Sequence, residues 1–582
     1  MKPIIPFLLV VIFLGGCTHD DDLLSPDPLF PAQDIFKAPL FIEVFTAEGL
    51  RVSNAKVILG SKEGYTDANG FLYWPEATVS ASAYLTVEKE GYFHASRRFY
   101  PSPGAAGYIR IILLSDSRIA FFNAADGAVL PIENKATIRF PQQGYVLENG
   151  EAYNGVVVVS AKVIAADDPD LSFKMPGDLV GINAEDSFGA LGSMGMMAVE
   201  MKTPDGDKLE FAEGVEATLE MHIPPSMTDN APSTIPLWYF DELDGVWREE
   251  GIATRSGDQY VGQVKHFSYW NYDAWFPAIK WGASFDFGSN RGAASQIEVC
   301  ITIISMNTTK CALTNEEGIV CGLVAANELL LMEVKSECGE LIYSEEIGPF
   351  SEATMLGPFS IYDPGVLVTK VIGQVVSCDG DPVRDGFAII SVGDYKQYTS
   401  LDQATGAFDV SITTCDEGNI AILAVDVRKN KLSIQKTFEY APWIDADTIT
   451  VCEDNKELID IEIVGFPNHY YFFFPNHVED GGNIIYSGFP DSSQQGQGIY
   501  IELHFKGDHS GVYESRSSRI NVNLPGAGWF FTNGDMIITV TEFGKIGEYI
   551  KGTFTGTCLK EDPGSPGREY PLVGTFSVVR EE

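Results

Sequence analysis

The stretch "FIEVFTAEGLRVSNAKVILGSKEGYTDANGFLYW", residues Phe41 to Trp74, carries the pattern that decides the fold. Short runs of apolar and β-branched residues alternate with polar ones, and the segment Thr66-Asp67-Ala68-Asn69-Gly70 precedes a further apolar run. Alternation with a period of two is typical of strands with one buried face. The glycine supplies the positive φ that a tight turn needs, while the polar residues before it bond the backbone. The stretch therefore predicts a small unit of strands joined by turns.

The same order of strand, turn, strand and glycine turn recurs later in the chain. The segment "VIGQVVSCDGDPVRDGFAIISVGDYKQYTSLDQATGAF", from Val371, repeats it and ends in Asp402 to Gly406. A looser third copy is "CITIISMNTTKCALTNEEGIVCGL", from Cys300. Such self-similarity predicts that one supersecondary unit is used several times.

Strand patterns extend over most of the remaining chain. Examples are "YLTVEKEGYF" from Tyr84, "GVVVVSAKVIA" from Gly155 and "DMIITVTEF" from Asp535, and sustained helical periodicity is absent. A chain of 582 residues, at roughly 150 per domain, suggests about four or more domains. We predict an all-β protein, a string of four to five β-sandwich domains of transthyretin-like or Ig-like type after a lipoprotein signal peptide.

Two family resemblances refine this prediction. The repeats resemble the carboxypeptidase regulatory-like domain, a small transthyretin-like sandwich without catalytic residues, which implies a spacer or a binding module. A second set of motifs consists of "MPGDL" at Met175, "LGSMGMMAVEM" at Leu191, "IPLWYFDELDGVWREEG" at Ile235 and "HFSYWNYD" at His266. These motifs resemble the β-sandwich shared by ankyrins and netrin receptors, in the variant of cartilage intermediate layer proteins and bacterial lipoproteins. The resemblance implies protein contacts or extracellular scaffolding.

These patterns together predict seven segments. They are a lipoprotein signal peptide (1–16), an acidic proline-rich tether (17–38), a carboxypeptidase regulatory-like domain (39–115), an ankyrin/netrin-receptor-like sandwich (116–280), an Ig-like or regulatory-like β domain (281–365), a second carboxypeptidase regulatory-like domain (366–455) and a C-terminal β domain (456–582).

The first residues predict where the protein is located. The leader carries Lys2 and an apolar run too short to span a bilayer as a helix, which is typical of a secretory signal. The segment Leu14-Gly15-Gly16-Cys17 resembles the bacterial lipobox, which implies that Cys17 is lipidated and becomes the N-terminus. The alternative is an ordinary signal peptide with a chance cysteine.

The acidic run Asp20-Asp21-Asp22 follows that cysteine closely. It resembles the tags that export some Gram-negative lipoproteins to the outer face of the outer membrane, and the alternative is a solvated linker. We therefore expect a lipid anchor in the outer membrane and exposure at the cell surface.

The formal net charge of −42 argues against nucleic acid as a partner. Such an excess of negative charge is typical of a soluble domain displayed at a surface. No complete calcium loop of the DxDxDG type is present, and the nearest approach is Asp379-Gly380-Asp381 with Asp385, which also fits a simple turn. We expect no cofactor, with a structural calcium ion as the alternative, and no other metal.

Eight cysteines follow Cys17, an even number that predicts disulfides in an oxidising compartment. The leading candidate is Cys311 with Cys321, because the two lie symmetrically about the turn "TNEEG" and would face each other in an antiparallel hairpin. Buried free thiols are the alternative, and the other connectivities stay open for Cys300, Cys338, Cys378, Cys415, Cys452 and Cys558.

Catalytic motifs are scarce. The sequence has no HExxH, no GxSxG and no GxxxxGK[ST], so we predict that the protein is not an enzyme. One segment, His266-Phe267-Ser268, matches the site at which some relatives of the ankyrin-like sandwich cut their own backbone. There the Ser268 hydroxyl would attack the Phe267 carbonyl with help from His266. The alternative is a purely structural strand.

The segment "GFPNHYYFFFPNHVED", from Gly465, is the candidate for ligand binding. Alternate residues of a strand face opposite sides, so one aromatic set could form an exposed platform for sugar rings beside Asn and His groups. The candidate residues are His469, Tyr470, Tyr471, Phe473 and His477. The alternative is a strand buried on both sides.

The leading prediction is a noncatalytic adhesion or binding scaffold, anchored to the membrane by lipid and facing a protein or glycan partner. The alternatives are a lipoprotein that captures glycans for an uptake system, and a protein that cleaves itself between Phe267 and Ser268.

Overall fold

The computed structural model describes residues 35–580, except for 67–69, 289–290, 337–338, 362–366, 393–394, 415–417, 430, 455–457, 465–468, 474–475, 480–481, 488–499, 525–527, 533–534, 546–548 and 561–567. Strands make up 64% of the chain and helix 1%, which confirms the predicted all-β class and the series of β-sandwiches. Within the described ranges, no helix has the length and apolar character needed to cross a membrane.

The first unit contains β1 to β7. Its two sheets have the orders β4-β1-β7 and β3-β2-β5-β6, and the apolar residues between them, such as Leu40, Ile42, Val57 and Leu85, are buried. The strands are β1 (Phe36–Thr46), β2 (Lys56–Leu59), β3 (Lys62–Tyr65), β4 (Phe71–Val79), β5 (Ala83–Glu88), β6 (Ala95–Phe99) and β7 (Gly107–Leu113).

The second unit contains β8 to β20 and the N-terminal half of β21. Its strands are β8 (Arg118–Asn123), β9 (Ala128–Ile132), β10 (Ala136–Phe140), β11 (Tyr145–Leu147), β12 (Ala152–Tyr153), β13 (Val156–Ile164), β14 (Val180–Ile182), β15 (Phe188–Lys202), β16 (Leu209–Phe211), β17 (Ala217–His222), β18 (Thr234–Asp241), β19 (Val246–Ser256), β20 (Gln259–Val264) and β21 (Tyr269–Asp286). A four-residue helix, α1 (Leu171–Lys174), and a 3-10 turn (Pro225–Met227) connect strands.

The sheets of the second unit enclose the largest aromatic side chains. The main sheet has the order β8-β13-β15-β21-β18-β19-β20-β17-β10-β9, and β12-β11-β16 forms a second sheet. Trp238, Trp247 and Trp270 are fully buried.

The third unit has no first strand of its own, because β21 continues across position 280 and supplies it. The C-terminal half of β21 pairs with β24 and β27, while the order β23-β22-β25-β26 forms the facing sheet. The strands are β22 (Glu298–Ile303), β23 (Thr308–Leu313), β24 (Ile319–Ala325), β25 (Leu330–Lys335), β26 (Leu341–Ile347) and β27 (Thr354–Ser360).

The fourth unit contains β28 to β35 in the order β30-β29-β32-β33-β35-β28-β31, with β34 beside β32. The strands are β28 (Leu367–Ser377), β29 (Gly386–Val392), β30 (Tyr395–Ser400), β31 (Ala407–Thr414), β32 (Ile420–Asp426), β33 (Lys431–Ser433), β34 (Lys436–Phe438) and β35 (Trp443–Asp454).

The fifth unit contains β36 to β46 in one sheet of order β37-β36-β46-β45-β43-β42-β40-β39-β38, to which β44 and β41 are added through β45. The strands are β36 (Leu458–Ile463), β37 (His469–Phe473), β38 (Asn476–Glu479), β39 (Asn483–Ser487), β40 (Tyr500–Phe505), β41 (Gly511–Ser515), β42 (Arg519–Leu524), β43 (Gly528–Phe531), β44 (Met536–Phe543), β45 (Tyr549–Lys560) and β46 (Arg568–Val579).

The strand pairing follows the same pattern in the first, third and fourth units. The first strand of each copy has one antiparallel and one parallel neighbour: β1 has β4 and β7, β28 has β31 and β35, and the C-terminal half of β21 has β24 and β27. The second strand of each copy has two antiparallel neighbours: β2 has β3 and β5, β29 has β30 and β32, and β22 has β23 and β25.

The turn glycine of each copy lies against the first strand. Its carbonyl accepts a hydrogen bond from that strand: Gly70 from Val44 at 2.8 Å, Gly406 from Val375 at 2.8 Å and Gly318 from Phe285 at 2.9 Å. All three glycines have positive φ, between 65° and 74°. A Cβ on any of them would press on the carbonyl oxygen of the same strand residue. Glycine is therefore required by both conformation and space.

We predict that Gly406→Ala destabilises the fourth unit more than Gly380→Ala does. Both glycines have positive φ, but a Cβ at Gly380 meets nothing within 4 Å, whereas one at Gly406 would overlap the Val375 carbonyl. Each change costs about 1–2 kcal/mol for the left-handed conformation, and Gly406→Ala adds about 1–3 kcal/mol for the overlap. Differential scanning calorimetry of the full chain measures the shift, and equal shifts for the two variants would contradict the prediction.

Candidate functional site

The HFS segment lies directly before β21, and its side chains are in separate environments. Phe267 is buried, with its ring 5.5 Å from that of Phe140. The Ser268 hydroxyl donates to the Tyr269 carbonyl at 3.0 Å. The His266 Nε2 atom lies 3.5 Å from a carboxylate oxygen of Glu250. Among the described residues, His266 and Ser268 share no hydrogen bond, so this geometry does not pair a base with a nucleophile.

The aromatic candidates lie on β37, an edge strand that pairs with β36. The side chains of His469, Tyr470, Tyr471 and Phe473 lie outside the described residues, so an exposed platform stays a prediction. The side chain of His477 on β38 is fully buried, and its Nε2 atom lies 2.8 Å from the Asn483 side-chain oxygen. This burial places His477 inside the sheet and away from any ligand at the surface.

The cysteine pairing differs from the predicted hairpin. Cys311 forms its disulfide with Cys300, directly opposite on the β22–β23 hairpin, with a Cα–Cα distance of 4.0 Å. The prediction of Cys311 with Cys321 is wrong because the turn between them leaves β23 and enters β24, which belongs to the other sheet. Cys321 is nevertheless disulfide-bonded. Symmetry about a turn therefore did not indicate a hairpin.

A second disulfide joins Cys378 and Cys452 near the ends of the neighbouring parallel strands β28 and β35. Cys558, predicted as a disulfide candidate, is instead a buried free thiol whose pKa burial raises to about 11. Cys17, Cys338 and Cys415 lie outside the described residues.

The residues considered for metal binding have other contacts. Residues 377–381 form a turn in which the Ser377 amide donates to the Asp381 carbonyl at 2.8 Å, and Asp385 lies 3.8 Å from Arg428. A structural calcium ion near Asp379 stays a prediction. A ligand atom of Glu298 lies within 4.8 Å of the sulfurs of Cys300 and Cys311, but those sulfurs are joined to each other and offer no thiolate.

A buried polar network in the second unit was not predicted. The Ser193 hydroxyl donates to the Asn271 side-chain oxygen at 2.8 Å, and the Asn271 amide donates to Asp273 at 2.5 Å. Asn271 and Asp273 are fully buried, and burial raises the pKa of Asp273 well above its usual range. The β15–β21 register shifts next to Ser193, so this network stabilises an irregular strand pair.

The first and fourth units pack on each other through an aromatic junction, defined as Phe41, Phe71, Tyr73, Tyr108, Phe387 and Tyr398. The rings of Phe71 and Tyr398 are stacked with centroids 4.1 Å apart. The Tyr398 carbonyl accepts hydrogen bonds from the Tyr108 hydroxyl and the Gln296 amide, both at 2.9 Å. The resemblance of the repeats implied a spacer or a binding module, and no sequence pattern predicted this contact.

Glu316 connects three units at the edge of this junction. Its backbone amide donates to the Ala106 carbonyl of the first unit at 3.1 Å. Its carboxylate accepts hydrogen bonds from the Thr399 hydroxyl at 2.8 Å and the Ser400 hydroxyl at 2.6 Å in the fourth unit. Glu316 itself lies in the turn of the third unit, so one residue fixes the relative position of all three.

A cavity of about 100 Å³ lies where the first, second and third units meet. We call it the junction cavity. Four cationic side chains line it: Arg97, Arg98, Arg110 and Lys310. Asp178 is the one carboxylate among the described lining residues, and it accepts hydrogen bonds from Lys310 at 2.7 Å and from the Tyr100 hydroxyl at 3.0 Å.

The elements around the junction cavity explain how cations are held in its wall. Arg97 on β6 and Arg110 on β7 both lie over the ring of Phe173 in α1, with guanidinium carbons 6.0 and 5.7 Å from its centroid. Arg98 donates to the carbonyls of Asp244 at 2.6 Å and Gly245 at 3.2 Å. Cation–π contacts and carbonyl acceptors hold a cation in place without cancelling its charge.

Comparison with known proteins gives no family assignment. No family model matches the chain, and no curated protein matches it. Among solved structures, the shaft pilin SpaA from Lactobacillus rhamnosus GG is 8% identical with a TM-score of 0.17, and the match covers 30% of this chain and 97% of the pilin. The major pilin subunit BcpA of Bacillus cereus is 7% identical with a TM-score of 0.11, with coverages of 71% and 99%.

The Bacillus anthracis TIE protein is 10% identical with a TM-score of 0.13, and the match covers 95% of this chain and 73% of that protein. TM-scores this low do not establish a shared overall arrangement. The function of the chain must therefore be inferred from its own residues.

We predict that the peptide bond between Phe267 and Ser268 stays intact in the purified protein. Ser268 donates to Tyr269, and His266 lies beside Glu250, so the hydroxyl is not paired with this base. Intact mass spectrometry under denaturing conditions, with and without reductant, measures this. The variant Ser268→Ala is the control that cannot undergo the acyl shift. Two wild-type fragments separated between Phe267 and Ser268 would contradict the prediction.

We also predict that Cys558 reacts with iodoacetamide only after unfolding. Its thiol is buried and its pKa is raised to about 11, so little thiolate is present at neutral pH and the reagent cannot reach it. Peptide mapping should show that denaturant without reductant is enough for iodoacetamide to modify Cys558. Modification of Cys300 and Cys311 should need both denaturant and reductant. Rapid modification of Cys558 in the native protein would contradict the prediction.

Proposed function

We propose that this protein is a noncatalytic binding scaffold displayed at the surface of a Gram-negative cell. The observation that carries the proposal is the packing of the repeats through the aromatic junction. Phe41, Phe71 and Tyr398 are each at most 6% exposed, although they come from units that are far apart in the chain. Flexible spacers would not bury such a surface, whereas a rigid display body would.

The junction packing has a clear energetic advantage for binding. Aromatic pairs contribute about 0.5–1.5 kcal/mol each beyond the area that they bury, and several pairs of the junction join the two units, among them Tyr73 with Phe387 at 5.0 Å. A body whose units are fixed loses less conformational entropy when it binds a partner. The fixed arrangement therefore supports a role in adhesion or in assembly with other envelope components.

The anchor and the location complete the proposal. Cys17 at the lipobox-like site would carry the acyl chains, and Asp20-Asp21-Asp22 would direct export to the cell surface. In this proposal the repeats are carboxypeptidase regulatory-like modules, and the second unit is an ankyrin/netrin-receptor-like contact domain. The partner is a protein or glycan outside the cell.

We predict that Cys17→Ser abolishes both fatty-acid labelling and membrane association. The protein is expressed with its own leader in a Gram-negative host that is supplied with an alkyne fatty acid, and the label is measured in the membrane fraction. Cys558→Ala serves as the matched control because it removes a cysteine elsewhere in the chain and should keep the label. Protease added to intact cells should degrade the wild-type protein.

Two results would contradict the proposal. A wild-type protein that carries no fatty-acid label and is found in the soluble fraction would contradict the proposed lipid anchor. A labelled protein that resists external protease in intact cells, but not in lysed cells, would place the scaffold on the inner leaflet.

A further inference from the structure

Among the four cations of the junction cavity, Arg97 is the one for which the described residues provide neither an ion pair nor a hydrogen bond. Its Nη2 atom is buried and makes no hydrogen bond to any described residue. Lys310, by contrast, pairs with Asp178 at 2.7 Å, and Arg110 lies 3.8 Å from Glu43. A buried guanidinium nitrogen without an acceptor is rare, because a lost hydrogen bond to a charged group is costly.

The charges around Arg97 increase that cost. Four cations line the junction cavity, whereas the nearby carboxylates are Asp178, which lines the cavity, and Glu43, which pairs with Arg110. Burial lowers the pKa of Arg97 to about 10, and Asp178 opposes this shift only partly. The cavity wall is therefore electropositive although the whole chain is acidic. Charges elsewhere on the chain are screened beyond about 8 Å at physiological ionic strength.

We propose that the junction cavity binds the oxyanion group of a small carboxylate or phosphate ligand. An arginine offers paired N–H donors in a planar fork that matches carboxylate and phosphate oxygens. A volume of about 100 Å³ is several times the ~30 Å³ that a water molecule occupies in the liquid, so the cavity has room for such a group. Arg97 is the residue that would donate to the ligand directly.

The surroundings favour an oxyanion attached to a small organic body. Tyr100 and Tyr108 line the same cavity and offer apolar faces. The ring of Phe173 is already covered by Arg97 and Arg110, which fixes both guanidinium groups before a ligand arrives. The site is thus built from two strands of the first unit, α1 of the second unit and β23 of the third.

Inorganic phosphate and acetate, each at matched ionic strength, are the probes for the test. Isothermal titration calorimetry and thermal unfolding are measured on the full chain. We expect at least one of the two anions to bind and to raise the unfolding temperature. Binding of phosphate alone indicates a phosphate ligand, and binding of acetate alone indicates a carboxylate ligand.

Arg97→Met is the decisive variant. Without anion it should unfold at a higher temperature than the wild type, because an apolar chain of similar length replaces a charged group whose Nη2 atom is buried without an acceptor. Its affinity for the anion should fall at least tenfold. Arg97→Lys keeps the positive charge but loses the paired N–H donors of the guanidinium group, so it should bind the anion with intermediate affinity. Its unfolding temperature shows whether a substitution at position 97 leaves the protein folded.

Arg139→Met is the matched control, because Arg139 lies on the second unit away from the cavity and pairs with Glu220 at 2.5 Å. It should bind the anion as the wild type does. Failure of both anions to bind the wild type in the millimolar range would overturn the proposal, and so would equal binding by Arg97→Met. Neither result bears on the lipid anchor, which is tested separately.

Discussion

The close approach of a turn glycine to the first strand is the constraint on which the repeated units depend. At Gly70, Gly318 and Gly406 the glycine carbonyl bonds the first strand, and the backbone passes too close for a Cβ. In the first and third units this contact lets the chain cross from one sheet to the other within a few residues. It also positions the residues beside each glycine. Glu316, which connects three units, lies two residues before Gly318 and is directed by the same turn.

The shared strand β21 extends this constraint beyond a single unit. It pairs with β15 and β18 in the second unit and then with β24 and β27 in the third. Because the third unit takes its first strand from β21, the second and third units cannot separate without breaking that strand pairing. The first and fourth units pack on each other through buried aromatic rings, and Glu316 of the third unit bonds both of them. The order of the units along the chain therefore differs from their arrangement in space.

Sequence patterns predicted the features that depend on residues close together in the chain. Alternating apolar residues and the glycine turns indicated the strands and the three-copy repeat, because both depend on residues that are near in the chain. The pairing of Cys311 failed for a related reason: the turn after β23 looks like a hairpin turn, but Thr314 is fully buried and its hydroxyl donates to the Ala294 carbonyl at 2.6 Å. That contact holds the turn against the opposite sheet. Cys300, the true partner, lies across the preceding hairpin.

The junction cavity could not be predicted from sequence because its walls come from three units. Arg97, Asp178 and Lys310 are far apart in the chain, and no motif of the sequence links them. A single arginine in a strand usually faces solvent, and only the packing of α1 against the first unit turns Arg97 inward. Burying a charge in this way opposes stability. The repeat contacts that hold the units together must therefore offset that cost, which links the rigid body to the electropositive cavity inside it.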